Sequence, residues 1–380
     1  MPPSPPRAWA EINLSALRHN LRIAAETWPN MALMAVVKAG AYGHGLEDVA
    51  RVLAAEKIAF LGVANVGEAR RISQAGITTP IYLLGATWSE EREEIVGHHW
   101  VPCISSLEEA RHFHQIATAQ NTVLAVHLAV DTGMGRGGFV AENLTSTLHA
   151  LRELAGIRIE GIGSHLPSAD EDEDFTRAQF QQFTHIINLL GGPHSFRWRH
   201  LANSAGLLGY DSHTCNLARP GLMLYGISPL PQHQQKLQTV MTLKSRVTLI
   251  RTLPAGHGVS YGRSFVTTRP TRVATIGIGY GDGYPRHASG HGPSVFVRDR
   301  FFSILGRVTM DQMMIDVTDA PEIQEGDEVE LFGPHISVSE LAEQSQTIPW
   351  HIYTGITPRV QRIYEPLIYI GNKTSQNGCV

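Results

Sequence analysis

Residues 31–45 read MALMAVVKAGAYGHG. Met31 to Val37 is an unbroken apolar run, the mark of a strand buried on both faces. The run stops at Lys38, and Gly40, Tyr42, Gly43, His44 and Gly45 crowd the loop behind it. A lysine is costly in a core. At the open end of a buried strand, desolvation lowers its pKa and leaves a neutral amine able to attack a carbonyl. Taken by itself the stretch is read more simply as a surface lysine after a strand, so the rest of the chain decides.

Moving outward, residues 13–26 predict a helix, with Asn13 as N-cap and Leu14, Leu17 and Leu21 at helical spacing. Apolar runs suited to strands recur at 59–63, 81–84, 101–104, 123–130, 159–164, 198–202 and 223–225. Helical patterns lie at 46–56, from 68 onward, and at 90–96, 107–119, 141–154 and 175–190. About eight strand–helix units over residues 8–230 predict an α/β fold, a (β/α)8 TIM-type barrel. After Gly226 the texture changes. SPLPQHQQ suits a linker, and short β-type runs follow at 241–250, 273–278, 294–297, 301–305, 313–317 and 328–332. One helical stretch, 339–344, interrupts them. Residues 231–375 are therefore expected to form a smaller, mainly antiparallel β domain, and residues 1–7 a disordered Pro-rich leader.

Composition narrows the function. A formal net charge of −4 and a pI near 6.5 give no electrostatic case for nucleic acid or a membrane surface. No apolar run reaches membrane-spanning length, and the first residues lack a signal peptide's basic and apolar regions. Cys103, Cys215 and Cys379 show no metal or redox spacing, which suits a reducing cytoplasm. Histidine is abundant, yet no metal-ligand pairing is evident, and no metal is expected. The acidic run 170–174 reads as a solvated loop, with a divalent cation site as the less favoured alternative.

In such a barrel, chemistry gathers at the C-terminal ends of the strands. Several polar groups fall there: Lys38 with Tyr42, the DTGMGR run at 131–136, His165, the HLANS run at 200–204, and Arg219 with Gly221 and Leu222. None is specific singly; a lone His165 is more often an interior histidine, and a lone DTGMGR an ordinary glycine loop. Together they suit one ligand. The Ser204 hydroxyl, the Gly221 and Leu222 amides and the Tyr42 hydroxyl could hold a phosphate. Arg219, steadied by His200, could meet a pyridine nitrogen. With a lysine poised for an imine, this is the donor set of pyridoxal 5'-phosphate.

AVVKAGAYGHG, VDTGMGRGG, HLANSAG, ARPGLMLYG, GVSYGRSF, IGYGDGYPR, GRVTMDQMMIDVT and PRVQRIY are similar, in order and spacing, to motifs of the alanine racemase family. The resemblance spans about residues 8–365 and implies a cytoplasmic, pyridoxal-phosphate-dependent enzyme that interconverts L- and D-alanine. It would serve peptidoglycan supply or alanine catabolism, as a head-to-tail homodimer with shared active sites. By motif, Lys38 carries the cofactor and is one catalytic base. Tyr261, from the partner's β domain, is the other, with His165 beside it. Tyr42, His165, His200, Asn203, Ser204, Arg219, Gly221, Leu222 and Trp350 fall at cofactor-binding positions. Arg136 and the Met310 backbone would hold the substrate carboxylate, and Asp170, Tyr280 and Arg286 would line the entrance. Two bases fit racemisation, because the proton leaves one face of Cα and returns on the other. An arginine against the pyridine nitrogen cannot accept its proton, which weakens the electron sink and disfavours side reactions.

Three positions depart from the family pattern. Ala129 stands where a lysine that orients Arg136 is common. Trp350 replaces a tyrosine, and Gly40 an asparagine. The first two motivate a serine or broad-specificity racemase as an alternative. A pyridoxal-phosphate decarboxylase of basic amino acids is disfavoured by Arg219 and by the Lys38/Tyr261 pair. A non-catalytic cofactor-binding or regulatory protein is disfavoured by the second domain.

Overall fold

The computed structural model describes residues 5–141, 144–211 and 213–366. Cys379, residues 1–4 of the leader and residues 367–375 of the second domain lie outside them. The chain begins with β1 (Ala8–Asn13), then a helix, Leu14–Thr27, capped by the Asn13 side chain on the Ala16 amide. Eight parallel strands follow: β2 (Ala32–Val36), β3 (Phe60–Val63), β4 (Ile81–Leu83), β5 (Val101–Ile104), β6 (Leu124–Ala129), β7 (Ile157–Gly163), β8 (Trp198–His200) and β9 (Leu217–Ala218). Each pairs with its sequence neighbour from β2 to β8, and β9 pairs with β2. The Asn216 amide donates to the Arg199 carbonyl and the Arg219 amide to the Ala202 carbonyl, which ties the last two strands together. The barrel interior is packed: Met34, Phe60, Tyr82, Val101, Cys103 and Leu217 form one buried cluster.

The strand expected at 223–225 is instead part of a 3-10 turn, Leu222–Tyr225. All four of its residues are buried, and periodicity cannot separate a short buried turn from a buried strand. The closing strand is the shorter β9, cut off by Pro220, which has no amide to continue the ladder.

The second sheet runs through β10 (Met241–Leu253), β13 (Thr271–Ile276), β14 (Ser294–Val297), β15 (Arg300–Ser303), β16 (Met313–Asp316), β17 (Glu328–Phe332) and β18 (Gln361–Glu365). A small hairpin, β11 (Gly258–Val259) with β12 (Phe265–Val266), stands beside it. The pairings are antiparallel except β1 with β18. Here the sequence boundary shifts. β1 lies in this sheet between β10 and β18, so residues 8–13 belong to it and not to the barrel. Arg7, read as leader, accepts a bond from Ser245 Oγ at 3.0 Å through its carbonyl. The short alternating run AWAEIN carries little strand signal without its partners. A second unexpected element, the helix Pro349–Gly355, starts on a proline and follows Val338–Gln344.

No helix among the described residues is long and apolar enough to cross a membrane. Nor is any group of three or more His, Cys, Asp or Glu among them placed to hold a metal ion.

Candidate active site

β2 delivers Lys38 to the barrel's C-terminal rim, and the chain then makes a left-handed turn. Ala39, Gly40, Ala41 and Tyr42 all have positive φ, between 52° and 64°. For each non-glycine this costs about 1–2 kcal/mol. Side chains from both domains brace the turn. Glu68 accepts from the Gly40 amide at 3.1 Å, and His44 Nδ1 donates to the Ala41 and Tyr42 carbonyls at 3.1 and 2.9 Å. Arg362 Nε donates to the Gly43 carbonyl at 3.0 Å, and the Tyr364 hydroxyl to the His44 carbonyl at 3.2 Å. Both come from β18, so the β domain grips the loop that carries Lys38. Burial holds His44 neutral, with a pKa of about 3.

Lys38 opens onto a cavity of about 820 Å³. Burial lowers its pKa first; Arg136 and Arg219 lower it further, and Glu68 opposes them. A neutral amine is thereby more accessible. Across the rim, Arg219 Nη1 donates to His200 Nδ1 at 2.5 Å. Its Nη2 donates to the Ser164 and Leu201 carbonyls at 2.6 and 3.2 Å and to His165 Nδ1 at 3.1 Å. A guanidinium only donates, so both imidazoles accept here and carry their protons on Nε2. His200 Nε2 then donates to His127 Nδ1 at 2.9 Å. Burial, with Arg219 adding to it, holds His127 and His165 at about 3 and His200 well below its usual value. Three neutral histidines thus surround one fixed cation.

The anion cradle is built from three segments. Ser204 Oγ accepts the Gly221 and Met223 amides at 3.0 and 3.3 Å. The Gly221 amide, expected to bind phosphate, is therefore already engaged; the Leu222 amide takes no partner among the described residues. Asn203 caps the turn Ser204–Gly209 through the Gly206 amide and donates to the Leu166 carbonyl, both structural bonds. A Cβ on Gly221 would sit 2.6 Å from the Tyr42 hydroxyl, so the backbone and that hydroxyl share one small space. Tyr42 stacks on Tyr225 with ring centroids 4.7 Å apart, and burial pushes its pKa up to about 12, so it remains a donor.

Arg136 follows β6 on a loop organised by Asp131, whose carboxylate accepts the Gly133, Met134 and Gly135 amides. Arg136, Asp170 and Trp350 line the same cavity, and Ala129 stands on its wall. Trp350 arrives from the β domain on the helix Pro349–Gly355.

The remaining sequence candidates lie elsewhere. Tyr261, Met310 and Tyr280 are 68%, 52% and 37% exposed, Arg286 is exposed, and none lines the cavity. They lie on neighbouring loops of the β domain. Ser260 Oγ donates to the Arg307 carbonyl at 2.5 Å, and the Tyr280 and Gly281 amides donate to the Thr309 and Met310 carbonyls. One chain therefore holds two separate constellations, a cationic cavity and an exposed tyrosine-bearing patch.

Sequence reasoning missed Glu68, His127 and the loop-forming role of Asp131. Glu68 had a legible signal, the Asn65-x-x-Glu68 capping pattern. His127 had none, because its partner lies 73 residues away.

Residues 12–229 match the family model "Alanine racemase, N-terminal domain" and residues 240–364 "Alanine racemase, C-terminal domain". The chain belongs to the alanine racemase family. It is 40% identical to the alanine racemase of Syntrophobacter fumaroxidans, over 92% of this chain and 95% of that one. The solved alanine racemase of Clostridium difficile 630 superposes with a TM-score of 0.90 at 33% identity, covering 94% and 95% of the two chains. That of Bartonella henselae, described with covalently bound pyridoxal phosphate, superposes at 0.87 with 30% identity, covering 95% and 100%. The cavity's residues fit that cofactor: an amine, a braced arginine, and hydroxyl and amide donors where a Cβ would intrude.

Proposed function

We propose that the protein is a pyridoxal-phosphate-dependent racemase of alanine, working as a homodimer in which each cavity is completed by a partner's β domain. The observation that carries the reading is the cavity, where Lys38, Arg219 and the Tyr42–Ser204–Leu222 cradle face one space. Lys38 would hold the cofactor at rest and be released as a free amine when the amino acid takes its place, and the group would then make that amino acid's Cα–H acidic. Tyr42, Ser204 and the Leu222 amide hold its phosphate. Arg219 meets the ring nitrogen and cannot take a proton from it. Arg136 draws the substrate carboxylate, together with the backbone of Met310 from the partner subunit. The Lys38 amine moves the proton on one face of Cα. Tyr261 of the partner subunit moves it on the other. His165, neutral and with its proton on Nε2, offers that tyrosine oxygen a hydrogen bond backed by Arg219. The separation of Tyr261 from its own chain's cavity supports a shared site.

The test is addition of D-alanine to the purified protein with chiral analysis of the product. L-alanine should form. Its absence, in protein whose visible absorbance shows bound cofactor, would overturn the reading. A second reading, broader substrate scope, rests on Trp350 in the cavity wall and on Ala129 beside Arg136. A preference for alanine over serine in kcat/KM of less than about tenfold, the low end of one-group discrimination, favours it.

A further inference from the structure

Helix Val66–Gln74 follows β3 and is capped by the Asn65 side chain on the Glu68 amide. Glu68 is 8% exposed. In a capping box its carboxylate serves the helix start, and here one oxygen accepts the Ala64 amide at 2.9 Å. The other oxygen crosses to the neighbouring strand end and accepts the Gly40 amide at 3.1 Å, two residues after Lys38. Gly40 lies inside the left-handed turn, with φ of 64°. The buried carboxylate is thus tied to the backbone that aims the amine.

We propose that Glu68 is a positioning residue for Lys38: it clamps the left-handed turn at Gly40 and sets a fixed negative charge against the arginines that face the amine. This rests on the racemase reading only in taking Lys38 as the working amine. The groups acting on Lys38 are Arg136 from the loop after β6, Arg219 after β9, His165 after β7 and Glu68. The histidine is neutral, so Glu68 is the anion that counters two cations. Without it, the ammonium form of Lys38 loses the favourable through-space charge of Glu68, and the amine fraction at a given pH rises.

The barrel supplies its own control. Glu109 accepts the Ser105 amide at 2.8 Å, four residues back, in a helix capped by Ser106. It repeats the Glu68 arrangement at the end of β5 without acting on Lys38.

The experiment measures pH-dependent acylation of Lys38 by acetic anhydride in the full chain stripped of cofactor, read by peptide mass spectrometry. Thermal unfolding verifies each variant's fold. In Glu68→Gln the labelling midpoint should fall by about half a pH unit or more, roughly a threefold gain in amine fraction below the midpoint. Glu68→Met, equally neutral, serves if the glutamine variant does not fold. Glu68→Asp, which keeps the charge, should return the midpoint toward wild type, and Glu109→Gln should leave it in place. An unchanged midpoint in the neutral variant overturns the proposal, as does an equal shift in Glu109→Gln. Racemase activity does not enter the measurement, so failure of the functional reading and failure of this one are told apart.

Discussion

Gly221→Ala tests the phosphate cradle most directly. The backbone at Gly221 has φ −124° and ψ −88°, outside the regions that residues with a Cβ favour, so Gly221→Ala adds backbone strain to the contact and Tyr42→Phe serves as the strain-free comparison. The added Cβ meets Tyr42 Oη at 2.6 Å, and ordinary contact begins at 3.4 Å, so the hydroxyl must retreat by about 0.8 Å. It cannot retreat freely, because its ring is buried and stacked on Tyr225. A hydrogen bond to a charged group contributes about 1.5–3 kcal/mol, so displacing this donor should weaken cofactor binding about 10- to 100-fold. Tyr42→Phe removes the same donor without a clash, since Gly221 then carries no Cβ, and should cost a similar amount. The double variant should then be no worse than Gly221→Ala alone, because the hydroxyl is lost only once. The assay is titration of the stripped full chain with pyridoxal phosphate, followed by absorbance. Strictly additive losses, or an unchanged affinity in Gly221→Ala, would falsify the placement of Tyr42 on the phosphate.

Other outcomes follow from the same geometry. Ala39→Gly should stabilise the protein or leave it neutral, because relief of about 1–2 kcal/mol of left-handed strain outweighs or matches the entropy of glycine; the equivalent Ala25→Gly change in the first helix should cost about 1 kcal/mol. Equal losses in denaturant unfolding would contradict a strained turn. Tyr261→Phe should lower kcat in both directions by about 10²–10⁴-fold with cofactor absorbance retained. Mixing it with Lys38→Ala after subunit exchange should restore activity, and no restoration would refute a site shared between copies. The pH dependence has a definite sign. His44, His127 and His165 titrate near 3 in the fold against about 6.5 unfolded, so the unfolded chain binds more protons below 6.5. Stability present above 6.5 is lost as pH falls toward 3, by about 1.4 kcal/mol per pH unit for each histidine. A thermal midpoint that stays flat from pH 7 to 5 would contradict this.

Much of this protein could be read along the chain. Strand runs and helical periodicity set the barrel, because each βα unit is local and its burial pattern is written in consecutive residues. The change of texture after Gly226 marked the second domain. The motif residues Lys38, Arg136, His165, Ser204 and Arg219 were legible because strand ends bring them to one rim. Tertiary structure decided what depends on distant partners. β1 is a strand only because β10 and β18 flank it, and 223–225 is a turn because Pro220 ends the ladder before it. The Gly221 amide is closed to a ligand by Ser204, and Glu68 reaches Lys38's turn across a strand boundary. The tautomers of His165 and His200 follow from Arg219, which must donate to both. Periodicity and motif carry information between neighbours in sequence. Hydrogen-bond direction, backbone strain and charge balance arise between neighbours in space, and only the folded chain contains them.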